Sequence, residues 1–178
     1  MRVPTTMIEH KALFLDRDGI INEDVRYAYR PDQIRFCDGI FDLCAHALNE
    51  GYLLLVMTNQ AGVARGHFTE TDVEQLHRWM GEQFALRNIP ITAFYYCPYH
   101  KDGVVGEYRR DDLCRKPKPG MFLKAAQDHH IDLSRSLMVG DKPSDRIELP
   151  QLRSIIVKSG YISEGYDVAS LRDVIPLL

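Results

Sequence analysis

Four apolar residues, Ala12-Leu13-Phe14-Leu15, run directly into Asp16-Arg17-Asp18-Gly19. A run that short, closed by a turn signal, reads as a strand buried on both faces, the kind found in parallel sheets. A parallel sheet commits the chain to crossover connections of a dozen or more residues, and so to an α/β fold. It also gives the strand's end a meaning, because open α/β sheets place ligands outside the carboxyl ends of their strands. Asp16 would stand there, with Asp18 two residues on. A carboxylate in that place can attack an electrophile or hold a divalent cation, and its neighbour can carry protons. An EF-hand loop fits poorly, since Ile20 stands where that loop requires Asp or Asn. Taken alone, the six residues fit a plain polar turn equally well.

The rest of the chain repeats the strand pattern at Leu53–Met57, Ala93–Tyr96, Leu137–Val139 and Ile155–Val157. Helical segments fall between. One covers Phe41–Asn49; another opens on Thr69-Glu70-Thr71-Asp72, a capping box in form, and carries Val73, Leu76, Met80 and Phe84 at helical spacing. A third begins near Pro119, with Phe122, Ala125 and Ala126 facing inward. Strands alternating with helices predict βαβ units and a parallel sheet covered on both faces. No repeat or Gly/Ser-rich linker divides the 178 residues, so residues 1–178 read as one domain. Two stretches lack periodicity, Gly19 to Arg35 and Cys97 to Lys118. Loops of that length in a compact domain usually cover a binding site.

Composition narrows the function. A formal net charge of −3 argues against a nucleic-acid binder, which would carry a basic surplus. No apolar run is long enough for a membrane span, and Met1 to His10 contains no apolar leader segment. Four cysteines, Cys37, Cys44, Cys97 and Cys114, do not make a disulfide scaffold in a chain of this size. A cytoplasmic protein with reduced thiols is expected.

Three further segments match the acid pair in chemistry. Val56-Met57-Thr58-Asn59-Gln60 ends a strand with a hydroxyl and two amides, suited to phosphoryl oxygens. Arg115-Lys116-Pro117-Lys118 puts cations just before a helix N-terminus, where anions are favoured. Lys116 suits a fixed point charge and Arg115 bidentate recognition. Leu137-Met138-Val139-Gly140-Asp141 ends a strand in a carboxylate that, facing Asp16, would complete an oxygen-rich site for Mg²⁺. An acid pair, a hydroxyl, a lysine and an acid, in that order, would rarely arise from independent turns.

With these four segments the chain resembles the haloacid dehalogenase superfamily. Phe14-Leu15-Asp16-Arg17-Asp18-Gly19, the Thr58–Gly66 stretch, Tyr95-Tyr96-Cys97-Pro98 and Cys114-Arg115-Lys116-Pro117 are similar to its capless heptose-bisphosphate phosphatases and the related histidinol-phosphate phosphatases. The Ala-Arg-Gly ending at Gly66 and Pro119-Gly120-Met121 favour the heptose branch. The resemblance implies a Rossmann-like three-layer sandwich without a cap domain, and removal of the 7-phosphate of D-glycero-D-manno-heptose 1,7-bisphosphate. It implies Asp16 as nucleophile, Asp18 as acid and base, and Thr58 and Lys116 as stabilisers of the phosphoryl group, with Asp16, Asp18 and Asp141 on Mg²⁺. It further implies that Asp24, Arg26, Tyr27 and Asn59 contact the sugar, that Arg115 meets a second phosphate, and that Lys142 assists. A monomer acting on a small sugar bisphosphate is expected. Histidinol-phosphate phosphatase or another small sugar-phosphate phosphatase is the alternative among enzymes, and an inactive sugar-phosphate binding or scaffold protein the alternative outside them.

Two segments depart from the family pattern. Relatives carry structural zinc on a Cys-x-His pair followed by Cys-x-Cys. Here Tyr99 holds the histidine position with His100 one residue late, and Asp112 replaces a cysteine. The resemblance then implies a Zn²⁺ site of Cys97, His100, Asp112 and Cys114. After Asp145, relatives continue into an Ala/Gly-rich helix, whereas Arg146-Ile147-Glu148-Leu149-Pro150 would end one early. The crossover to the last strand is therefore expected to be short and irregular.

Overall fold

The structure is a computed structural model that describes residues 9–178, so most of the Met1 to His10 stretch lies outside the described residues. Five strands form one sheet: β1 (Lys11–Leu15), β2 (Tyr52–Asn59), β3 (Ala93–Cys97), β4 (Leu137–Gly140) and β5 (Arg153–Ile156). Their order is β3-β2-β1-β4-β5 and every neighbouring pair is parallel. The helices are α1 (Ile40–Asn49), the single turn α2 (Ala61–Ala64), α3 (Glu70–Ala85) and α4 (Gly120–His129). Each expected strand and helix is present, with ends moved by a residue or two. The fold is the expected Rossmann-like α/β sandwich.

Alternation along β1 divides the core. Leu13 and Leu15 point to the face covered by α1 and α3, where Ile40, Leu43, Leu76, Met80 and Phe84 are all fully buried. Ala12 and Phe14 point to the opposite face, against Met121, Phe122 and Ala125 of α4. Phe14 and Phe122 meet edge to face, ring centres 5.1 Å apart. α3 starts as its sequence directs: Thr69 Oγ1 accepts from the Asp72 N–H, and Asp72 Oδ2 accepts from the Thr69 N–H at 2.7 Å.

Between β4 and β5 there is no α-helix, only a 3₁₀ turn over Pro143–Asp145 and a loop. Ile147 and Leu152 drop from this loop into the α4 side of the core and substitute for the missing helix. The crossover is short and irregular as expected, and no helix forms there for Pro150 to end. No helix among the described residues is long and apolar enough to cross a membrane. The sheet order reverses beside β1, so the crevice at its carboxyl end opens between β1 and β4.

Candidate active site

Asp16 stands at that reversal. Its N–H continues the ladder onto Val139 O at 3.0 Å, which places the carboxylate between the ends of β1 and β4. Lys116 arrives from the loop before α4, and its Nζ lies 2.9 Å from Asp16 Oδ1 and 2.6 Å from Asp145 Oδ1. All three side chains are buried. Burial pushes the Asp16 carboxyl up to about 6, and the Lys116 ammonium opposes that rise. Burial alone would push Lys116 down, but Asp145 and Asp16 outweigh it and hold the ammonium charged.

Asp145, which the sequence marks only as the point where the family pattern is left, organises this end of the site. Its second oxygen accepts the main-chain N–H groups of Asp141 and Lys142, each at 3.0 Å. The four-residue spacing of Asp141 and Asp145 in one turn was the available signal. Gly140 is required beside it, because a Cβ there would collide with the Asp145 carboxylate. Gly19 is required for two reasons: its φ is +99°, and a Cβ would strike the Asp141 carboxylate.

Asp141 is buried with Oδ1 lacking any hydrogen-bond partner. Burial raises its carboxyl to about 7; Lys142 opposes this, and Asp16, Asp145 and Asp24 add to it. Asp16, Asp141 and Asp145 bring carboxylate oxygens within 4.8 Å of one another. Asp145 is occupied by Lys116 and two N–H groups, so Asp16 and Asp141 have the capacity left over. An all-oxygen set with an orphaned buried acceptor fits a hard divalent cation.

Asp18 is held in place rather than left to swing. Arg17 Nη2 lies 3.0 Å from its Oδ2, Asn22 Nδ2 3.0 Å from its Oδ1, and Gln60 Nε2 3.1 Å from its Oδ2. Arg17 itself is almost wholly buried, and it also donates to Ala28 O at 2.8 Å. Its Nη1 meets His77 Nε2 of α3 at 3.3 Å. A guanidinium can only donate, so Nε2 carries the lone pair and the ring is neutral. Burial, helped by the Arg17 charge, keeps His77 well below its ordinary value. Arg17 and His77 escaped the sequence reading, since only contacts between distant segments reveal them; Gln60, read there as an amide for phosphoryl oxygens, turns its Nε2 to Asp18 and Thr58. Thr58 lies where expected, with Gln60 Nε2 donating to its Oγ1 at 2.8 Å.

Asp16, Asp18, Thr58, Arg115, Lys116 and Lys142 line one cavity of about 180 Å³. An adjoining cavity of about 400 Å³ is lined by Asp24, Arg26, Tyr27, Asn59, Arg65, Lys142 and Tyr161, and shares Asp18. The expected sugar loop therefore does border the reactive end. Asp24 is anchored there by Lys142 Nζ at 2.9 Å. Lys142 Nζ also donates to the Asp18 carbonyl at 3.2 Å. Arg65 Nη1 donates to Tyr27 Oη at 2.8 Å. Arg115 is pushed down from its ordinary value by burial and by the nearby Arg65 charge, which places two guanidiniums around one region.

Asn59 has a second task, and two expectations about the cysteine loop need correction. Asn59, expected on the sugar, clamps the main chain of Lys116: its Oδ1 accepts the Lys116 N–H at 3.0 Å and its Nδ2 donates to Lys116 O at 3.1 Å. The clamp positions the lysine, and Asn59 also lines both cavities, with a second amide N–H left for the expected sugar contact. The four residues Cys97, His100, Asp112 and Cys114 are not gathered into one tetrahedron. Cys97 and Cys114 are bonded to each other, Cα atoms 5.5 Å apart, contrary to the expectation of reduced thiols. His100 Nδ1 accepts the Asp102 N–H, while Asp112 takes the Cys114 N–H and Arg110 Nε, both at 2.9 Å. Aromatic packing holds the loop, with Arg110 3.5 Å above the Tyr99 ring and Tyr99 beside Tyr108.

Comparison with known proteins agrees with this arrangement. Residues 18–158 match the family described as polynucleotide kinase 3 phosphatase. A Burkholderia mallei D-glycero-alpha-D-manno-heptose-1,7-bisphosphate 7-phosphatase is 46% identical over 138 residues, 78% of this chain and 73% of the relative. The chain belongs to the heptose-bisphosphate phosphatase family. An Escherichia coli O6:H1 member, named for the beta anomer, is 48% identical over 134 residues, 75% of this chain and 70% of its own. The structure of D,D-heptose 1,7-bisphosphate phosphatase from B. bronchiseptica, complexed with magnesium and phosphate, superposes with a TM-score of 0.75 at 26% identity. That match covers 94% of this chain and 97% of the other. As a family member, the protein is a phosphatase of the haloacid dehalogenase type.

Proposed function

We propose that the protein hydrolyses the 7-phosphate of D-glycero-D-manno-heptose 1,7-bisphosphate, as a single-domain cytoplasmic monomer without a cap. The observation that carries the reading is the buried Asp16–Lys116–Asp145 chain beside the tethered Asp18, opening onto two adjoining cavities, the smaller lined by Arg115 and the larger by Arg26 and Arg65. Asp16 attacks phosphorus and becomes an aspartyl phosphate. Asp18 gives its proton to the departing sugar oxygen, then takes one from the water that hydrolyses the acyl phosphate. Lys116 and Thr58 hold the phosphoryl oxygens throughout, since phosphoryl transfer depends on positioning and charge neutralisation. Asp16, Asp141 and the Asp18 carbonyl would hold Mg²⁺, which would supply further neutralisation of the transferring group.

The second phosphate distinguishes this substrate from histidinol phosphate. Arg115 and Arg65 are the cations available to receive it, and the names of the relatives support the choice. The relatives divide between alpha and beta anomers, so both belong in the assay. Phosphate release should show a kcat/KM on heptose 1,7-bisphosphate far above that on histidinol phosphate. Equal efficiency on the two would move the protein to the histidinol branch, and no turnover of either would leave a binding protein.

A further inference from the structure

Tyr161 lies beyond β5, in a segment without regular structure, and belongs to no motif of the four. It nevertheless lines the larger cavity, and three contacts fix it there. Ser159 Oγ donates to the Asp141 carbonyl at 2.6 Å, tying this segment to the end of β4. The same hydroxyl oxygen accepts the N–H of Tyr161 at 3.1 Å and lies 3.3 Å from that of Ile162, which sets the turn that presents the ring. At the far end, Tyr161 Oη donates to Asp24 Oδ2 at 2.9 Å, joining the last part of the chain to the first loop.

Lys142 Nζ stands 4.8 Å from the ring centre. The hydroxyl and one flank of the ring are therefore engaged, yet 55% of the residue remains exposed. An aromatic ring held at both ends, with open surface on a ligand cavity, offers a flat apolar wall in an otherwise polar site. The remainder of that cavity supplies charges, amides, two small residues and one other phenol, Tyr27, whose ring already packs against His67 with centres 4.0 Å apart.

We infer that Tyr161 is a specificity-determining residue whose ring is the wall for the carbon face of a phosphorylated sugar. This rests on the proposed sugar-phosphate reading, and it adds a contact that reading does not contain. The tyrosine acts on the leaving group alone. The phosphoryl group sits in the smaller cavity, which Tyr161 does not line.

The test compares Tyr161→Ala and Tyr161→Phe with wild type on a panel of phosphorylated sugars, using the one that wild type turns over best. Inorganic phosphate serves as a competitive inhibitor that fills only the phosphoryl subsite. Tyr161→Ala should raise KM about tenfold, the scale of one lost aromatic contact, with the loss falling on KM rather than kcat. The inhibition constant of inorganic phosphate should not follow it. Tyr161→Phe, which keeps the ring, should fall between the two. A KM for Tyr161→Ala within about twofold of wild type would overturn the inference. So would a parallel loss of inorganic phosphate affinity, which would make the tyrosine a prop for Asp24 and Lys142. A phenylalanine variant as impaired as the alanine one would assign the effect to the hydroxyl and overturn it too. Wild type that prefers another sugar phosphate to the heptose bisphosphate refutes the substrate reading alone, whereas wild type that hydrolyses no sugar phosphate refutes both.

Discussion

Asp141→Asn should make the metal-free protein more stable while removing its activity. Asp141 is buried, its Oδ1 has no partner, and its carboxyl titrates near 7 in the folded chain against an ordinary value of 3.8. The sign follows from proton counts. Between those values the folded state binds more protons than the unfolded state, so stability falls as pH rises, and the full cost is present only above about pH 7. The shift corresponds to ~4 kcal/mol at pH 8 and ~1–2 kcal/mol at pH 5. The asparagine amide would need partners of its own and gives back about 1–2 kcal/mol. A net gain of about 2–3 kcal/mol at pH 8, shrinking to near zero at pH 5, is therefore expected in urea unfolding with chelator present. Adding Mg²⁺ should stabilise wild type and not the variant. A variant less stable than wild type at pH 8, or a gain that ignores pH, would show that Asp141 is not held under charge stress.

Other substitutions test the remaining parts. Asp16→Asn should abolish steady-state phosphate release, since an amide cannot form the acyl phosphate; wild-type turnover would refute the nucleophile. Asp18→Asn should lower kcat by about 10²–10⁴-fold, measured with a slow, poor leaving group, and a smaller loss would move the proton transfer elsewhere. Lys116→Met should cost about 3–5 kcal/mol in urea unfolding at neutral pH, because it leaves two buried carboxylates without their cation. Unchanged stability there would mean Asp16 and Asp145 relax apart. Prolonged chelation followed by Mg²⁺ replacement should strip any zinc from the 97–114 loop without lowering kcat. Stoichiometric zinc that survived would show that Cys97 and Cys114 are thiolates rather than bonded to each other, and that His100 and Asp112 leave their present partners to complete the set.

The sheet was legible because buried parallel strands read as unbroken apolar runs, and Ala12–Leu15 and Leu53–Met57 carry that signal without help from context. The residues at the strand ends were legible for a related reason: Asp16, Thr58 and Asp141 each follow such a run directly. What stayed hidden depends on which distant segments meet. Arg17 reads as a surface charge until Ala28 and His77 close over it. Asn59 sits among substrate-facing residues, but the approach of Lys116 uses both ends of its amide. Tyr161 has no local mark at all; its place is set by Ser159 gripping the end of β4. The zinc expectation failed to assemble because His100, one residue late, and Asp112 each find nearer main-chain donors.

The position of β1 at the centre of the sheet bears on how the protein is made. Its two neighbours lie far apart along the chain: β2 follows after one helix, whereas β4 comes after three quarters of the sequence. On the ribosome, β1 and β2 can pair early, leaving one edge of β1 with bare N–H and carbonyl groups until β4 emerges. Asp16 N–H bonds to Val139 O across that late edge, and Lys116 also arrives after β2. A partly synthesised chain thus carries an open, apolar strand edge and an unformed nucleophile together. Catalytic competence should appear in one step, late in translation, when that edge closes.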